Sequence, residues 1–161
     1  MLKNIYVAAL LFLTVSLIPA YAQHGEIGIG LLVGAPTGVT GKCLLNDGEN
    51  AVQAFLGGGF GGITIGGDYL YYSNAFDHPD FPFYVGPGAF VGPSALGGPK
   101  YDRAGTLGLG VRGVFGVSYF FPTKPFEISF ELGPVLYLSP VVDMGIGGGL
   151  AFRFYPKRSQ K

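Results

Sequence analysis

From Gly105 to Phe120 the residues alternate between two unlike classes. Thr106, Gly108, Gly110, Arg112, Val114, Gly116 and Ser118 occupy the even positions, and Leu107, Leu109, Val111, Gly113, Phe115, Val117 and Tyr119 the odd ones. Successive side chains of an extended strand point to opposite faces, so this segment has one small, polar face and one large, apolar face. Phe126 to Leu138 repeats the pattern, with Glu127, Ser129, Glu131, Gly133 and Val135 against Phe126, Ile128, Phe130, Leu132 and Leu136. Asp143 to Phe154 does so again, with Gly145, Gly147, Gly149, Ala151 and Arg153 against Met144, Ile146, Leu150, Phe152 and Phe154.

Five earlier segments fit the same reading: Glu26 to Gly34, Thr37 to Leu45, Ala51 to Gly57, Ile63 to Tyr72 and Phe81 to Val91. Turn chemistry separates them, at Ala35-Pro36, Asn46 to Asn50, the glycine cluster Gly57 to Gly62, Ser73 to Asp80, Gly92 to Ala104, Phe121 to Lys124 and Ser139-Pro140. The expected fold is all-β, an eight-stranded antiparallel up-and-down barrel over residues 23–155 with a short polar tail at 156–161. The interior of an eight-stranded barrel is just wide enough for side chains. A face of Phe, Leu, Ile and Val on every strand would overfill it, so the glycine face is expected inside and the apolar face outside. That orientation belongs to a transmembrane barrel; a secreted soluble barrel of the lipocalin type would have to leave Phe, Leu and Ile in water.

The first residues fit delivery to a membrane. Ile5 to Ile18 carries no charge, follows Lys3, and leads into Pro19-Ala20-Tyr21-Ala22, a small-x-small site, so residues 1–22 read as a cleaved signal peptide. A spanning helix needs roughly 20 apolar residues, and Pro19 ends this run too early. The 139 residues that remain suffice for eight strands of the usual membrane length but not for twelve. Nine Lys or Arg face ten Asp or Glu in them, a near-neutral balance that leaves nucleic acid without a footing. Cys43 is the only cysteine, so no internal disulfide forms, and no lipobox cysteine follows the apolar run.

Aromatic residues gather where strands would meet one rim: Tyr69-Leu70-Tyr71-Tyr72, Tyr119-Phe120-Phe121 and Phe152-Arg153-Phe154-Tyr155 at strand ends, Phe81-Pro82-Phe83-Tyr84 and Phe126 at strand starts. Such a ring reads as an interfacial girdle. With eight strands both chain ends share that rim, which by analogy with bacterial barrels is periplasmic, making Gly92 to Ala104 the main extracellular loop.

The candidate site is a lumen charge network of Glu26, Lys42, Asp68, Arg112, Glu127, Glu131 and Arg153, all expected to point inward. Unpaired charges in so narrow a space would be costly, so these must pair. Counting from the turns sets Arg112 one diagonal step from Glu131 and Arg153 near Glu127, with Glu26 approaching Arg153 as the barrel closes. The network is expected to plug the barrel structurally; a gated ion path along the same charges is the alternative.

His24 and His78 are the only histidines. His24 adjoins the cleavage site and His78 lies in a loop on the periplasmic rim, neither placed for attack on an outer-leaflet lipid. Asp77-His78-Pro79-Asp80 reads as a solvated turn rather than a metal site. Gly28, Gly30 and Gly34 have no helix behind them and so do not form a dinucleotide fingerprint; they read as lumen-facing glycines. Cys43 reads as a small lipid-facing residue. No catalytic residue, metal or cofactor is expected.

Four motifs carry a resemblance: Gly34-Ala35-Pro36-Thr37-Gly38 with Lys42; Leu109-Gly110-Val111-Arg112 with Gly116 and Tyr119; Pro125 to Ile128 with Glu131 to Pro134; and Gly147 to Tyr155. In order and spacing the chain resembles a bacterial family of small outer-membrane β-barrels of largely unassigned function, grouped with OmpA- and OmpX-like barrels. The resemblance implies a barrel in the outer membrane of a Gram-negative bacterium and little chemistry. It also implies recognition of the last strand by the barrel-assembly machinery through Phe154 and Tyr155, although Pro156 to Lys161 follow them where the family ends. The expected role is structural or surface-interacting, without catalysis. The partners would be outer-membrane lipids and an unknown extracellular ligand at residues 92–104; a narrow low-conductance pore and a lipid-modifying enzyme are the alternatives.

Overall fold

Alternation with period two leaves no apolar stripe for a helix, and the described residues form strands joined by turns. The computed structural model describes residues 27–59, 62–73, 81–93, 107–139 and 142–156. The strands are β1 (Ile27–Ala35), β2 (Thr37–Leu45), β3 (Asn50–Gly59), β4 (Gly62–Ser73), β5 (Phe83–Pro93), β6 (Leu107–Phe120), β7 (Phe126–Ser139) and β8 (Asp143–Phe154). Each pairs antiparallel with the next in sequence, and β1 pairs with β8, which closes the barrel and removes every sheet edge. Residues 1–26, with the expected signal peptide, lie outside the described residues, as do Glu26, His24, His78 and most of the loop between Gly92 and Ala104.

The turn between β2 and β3 is a short 3₁₀ segment, Asn46–Gly48. Asn46 and Asp47 there have φ of 49° and 54°, left-handed values that Asn and Asp tolerate better than other side chains. The glycine cluster from Gly57 to Gly62 is mostly strand rather than turn, since β3 runs on through Gly59 and β4 begins at Gly62. Glycine looks like a turn signal in sequence, but the ladder pairs Gly57 with Thr64 and Gly59 with Gly62 all the same.

Strands β6 and β7 alternate buried and exposed residues along almost their whole lengths. The small, polar face is inside. Outside stand Ile29, Leu31, Ile65, Phe115, Phe130 and Leu150, each about half exposed or more. Charges follow the same division. Among the described residues, Lys42, Asp68, Arg112, Glu127, Glu131 and Arg153 are buried inside, Asp47, Glu49 and Lys124 lie in turns, and Asp143 opens β8.

Glycine leaves room for rings. Phe55 lies over Gly66, Phe90 over Gly110 and Tyr84 over Gly116, each directly across a strand pair, and Tyr155 lies over Gly28. A Cβ at any of these glycines would collide with the ring. This pairing of aromatic and glycine fills the lumen without bending the wall. It also corrects the rim expectation. Tyr69, Tyr71, Phe81, Phe152 and Phe154 face outward, but Tyr84, Phe120 and Tyr155 from the same runs are buried inside.

Candidate functional site

Six ionised side chains from five strands meet in the lumen: Lys42 (β2), Asp68 (β4), Arg112 (β6), Glu127 and Glu131 (β7) and Arg153 (β8). Three are cations and three are carboxylates, so the set is neutral as a whole. Glu127 gathers one end. Lys42 Nζ donates to its Oε1 at 2.7 Å, Ser118 donates to the same oxygen, and the Tyr155 hydroxyl donates to Oε2. Arg153 links the two glutamates, with Nη1 3.4 Å from Glu127 Oε1 and Nη2 3.2 Å from Glu131 Oε1. It also donates to Ser129 Oγ at 2.8 Å and to Gln53 Oε1 at 2.7 Å.

The other end is built on Asp68 and Arg112, which sit two strands apart. Asp68 and Arg112 both pair with Gly88 of the intervening β5. A side chain on Gly88 would strike the Asp68 carboxylate, so glycine there is what lets the ion pair pass over the middle strand. Arg112 Nε donates to Asp68 Oδ1 at 2.7 Å and Nη2 to Oδ2 at 2.5 Å, a two-pronged arrangement that fixes the guanidinium plane. Its Cζ lies over the Phe55 ring, 4.5 Å from the ring centre.

Gln53 joins the two ends. Its amide nitrogen donates to Asp68 Oδ2 and Glu131 Oε2, both at 3.1 Å, while its oxygen accepts from Arg153. Tyr84 donates to Glu131 Oε1 at 3.0 Å and Tyr72 accepts from Lys42 at 3.0 Å. Arg153 Nε is the one buried side-chain nitrogen or oxygen without a partner among the described residues. Apolar packing bounds the network on both sides: Leu32, Phe55, Phe90, Val135, Tyr137 and Ala151 in one cluster, Ala51, Leu70, Tyr84 and Val114 in the other.

Of the seven residues expected in the network, six come together and Glu26 lies outside the described residues. Glu127 stands directly opposite Arg153 in the β7–β8 register. Arg112 is farther along than one diagonal step from Glu131: Arg112 faces Val135, and Glu131 faces Gly116. The two side chains nevertheless approach to 3.7 Å, because both are long and reach along the barrel axis. Sequence reasoning missed Gln53, Ser118, Ser129, Tyr84 and Tyr155. Parity places each on the inward face, and that was the available signal. Gly28 and Gly30 are inward, whereas Gly34 at the rim is exposed. Cys43 is half-buried.

Chemically the carboxylates of the site are saturated. Glu127 and Glu131 are held by cations and hydroxyls and Asp68 by Arg112 and the Gln53 amide, and among the described residues no group of three or more His, Cys, Asp or Glu has the geometry to hold a metal ion. Fold and site together define a closed, eight-stranded up-and-down β-barrel with an ion-paired interior. Comparison with protein-family models, characterised proteins and solved structures finds no match.

Proposed function

We propose that this chain is an integral β-barrel of a bacterial outer membrane, plugged by its own side chains and serving a structural or surface-interaction role without catalysis. The carrying observation is the inversion of the barrel: ionised groups inside, and Ile29, Leu31, Val33, Ile63, Ile65, Leu150 and their neighbours exposed on the wall. In water such a wall would cost about 25 cal/mol for each Å² of apolar surface left wet, whereas in lipid it costs nothing. Closure serves the same environment, since a bilayer core offers no water to an unpaired backbone group. The outward aromatics Tyr69, Tyr71, Phe81, Phe152 and Phe154 suit an interfacial girdle on the rim with the chain ends, the side assigned to the periplasm.

A pore gains no support, because Arg153, Gln53, Glu127 and Tyr84 lie across the lumen with almost no exposed surface. The partners that fit this reading are outer-membrane lipids, with the assembly machinery acting on β8 and a ligand of the loop beyond Pro93. Gel mobility tests it. Protein extracted from outer membranes in detergent should migrate faster unheated than boiled, as a folded barrel does. Recovery in the soluble periplasmic fraction would overturn the reading.

A further inference from the structure

Proline supplies no N–H to a ladder, and a closed barrel has no free edge on which to hide one. Two prolines nevertheless stand in mid-strand, Pro87 in β5 and Pro134 in β7, both exposed on the outer wall. The β4–β5 ladder stops at Asp68 and Gly88 and resumes at Tyr71 and Val85, leaving the positions opposite Pro87 and Gly86 unpaired. The β6–β7 ladder stops at Arg112 and Val135 and resumes at Phe115 and Leu132, a break opposite Pro134 and Gly133. The other six seams pair without interruption over the residues described.

Both broken seams flank one hairpin. Strands β5 and β6 pair with each other from Phe83–Val117 to Pro93–Leu107 without a gap, so the hairpin is bonded fully within itself and incompletely to either neighbour. At the β6–β7 break a cavity of about 10 Å³, room for one water molecule, lies between Arg112, Val114, Glu131, Gly133 and Gly147.

Interior side chains cross the same two seams. Arg112 on β6 reaches over Gly88 to Asp68 on β4, and its Nη2 stands 3.7 Å from Glu131 on β7. Tyr84 on β5 also donates to Glu131. Arg112 thus ties the hairpin to both neighbours at the level where backbone ties are missing.

We infer that the β5–β6 hairpin is a separately movable section of the barrel wall, latched from inside by Arg112, with the β6–β7 seam as the line along which it parts. Parting there would bring whatever surrounds the barrel against the lumen charges. The inference rests on the ladders and not on the membrane reading.

Hydrogen–deuterium exchange on the folded full chain in detergent micelles tests it. Amides bordering the two breaks should exchange roughly tenfold faster than those of β2–β3 and β7–β8, the effect of losing one or two ladder bonds. Pro134→Ala returns a donor and should slow exchange at the β6–β7 seam alone. Arg112→Gln should speed exchange across the whole hairpin, whereas Lys42→Met, which also disturbs the network, should not single it out. If Arg112→Gln does not fold, Pro134→Ala still decides the matter, since it only adds a bond. Equal protection at all eight seams, or a seam indifferent to Pro134→Ala, would overturn the inference and leave the membrane reading standing.

Discussion

The lumen is filled in two ways within one barrel. Toward the rim with the chain ends, Glu127, Arg153, Lys42 and Glu131 form a network in which each ion has at least two partners. Toward the other rim, Leu32, Phe55, Phe90, Val135, Tyr137 and Ala151 pack as an ordinary apolar core, with Phe90 and Tyr137 edge to face at 5.7 Å between ring centres. The difference lies in coupling. Trimming an apolar side chain weakens only its immediate neighbours, whereas removing a buried ion leaves its partners charged and unpaired.

The sharpest way to break this comparison is to remove one ion. Arg153→Met should destabilise the barrel by about 3–5 kcal/mol, because Glu127 and Glu131 are each deprived of a cation. The shift in urea midpoint measures it. Adding Glu127→Gln to that variant should recover part of the stability; a pair no less damaged than the sum of its singles would show the ions to be uncoupled.

A finer test uses two glycines that carry rings in the two regions. Gly116→Ala pushes on Tyr84 and Gly110→Ala on Phe90, and overpacking of this kind costs about 1–3 kcal/mol. Gly116→Ala should cost more, since moving Tyr84 also draws its hydroxyl from Glu131. Equal unfolding midpoints for the two would remove the distinction. The smallest effect belongs to Leu32→Met, a volume-conserving exchange on the apolar side, which should cost less than about 1.5 kcal/mol.

How much of this could be read from the residues follows from which interactions are local. Strands β6, β7 and β8 are legible because glycine and large apolar residues are extreme opposites, so a period of two stands out over a dozen positions. The inward charges are legible for the same reason: Arg112, Glu127, Glu131 and Arg153 interrupt a face otherwise made of small residues. Partnerships are legible only across a tight turn, as for Glu127 and Arg153. Lys42 and Glu127 are 85 residues apart and meet only because the barrel closes. Asp68 and Arg112 meet only because Gly88 leaves the space between them open, which requires the registers of three strands at once.

The aromatic runs mislead when each is read as a unit. In Phe83-Tyr84 and Phe154-Tyr155 one ring faces out and the next faces in, so a single run serves both the wall and the lumen. Hydrophobicity does not separate them, but parity does. The mid-strand prolines pull in the opposite direction: Pro87 and Pro134 taken singly argue against an interior strand, but the alternation around them reads as strand, and the barrel accommodates them by giving up ladder bonds on one side.

The proposal that the outer wall faces lipid is tested most directly by spin labels on single cysteines in a Cys43→Ala background, with the full chain reconstituted in bilayers. Labels at Ile29, Phe130 and Leu150, all on the outer face, should collide readily with dissolved oxygen and rarely with an aqueous nickel chelate. A label at Lys124, in the exposed turn between β6 and β7, should show the reverse. Free access of the nickel chelate to all four positions would contradict a wall that faces lipid.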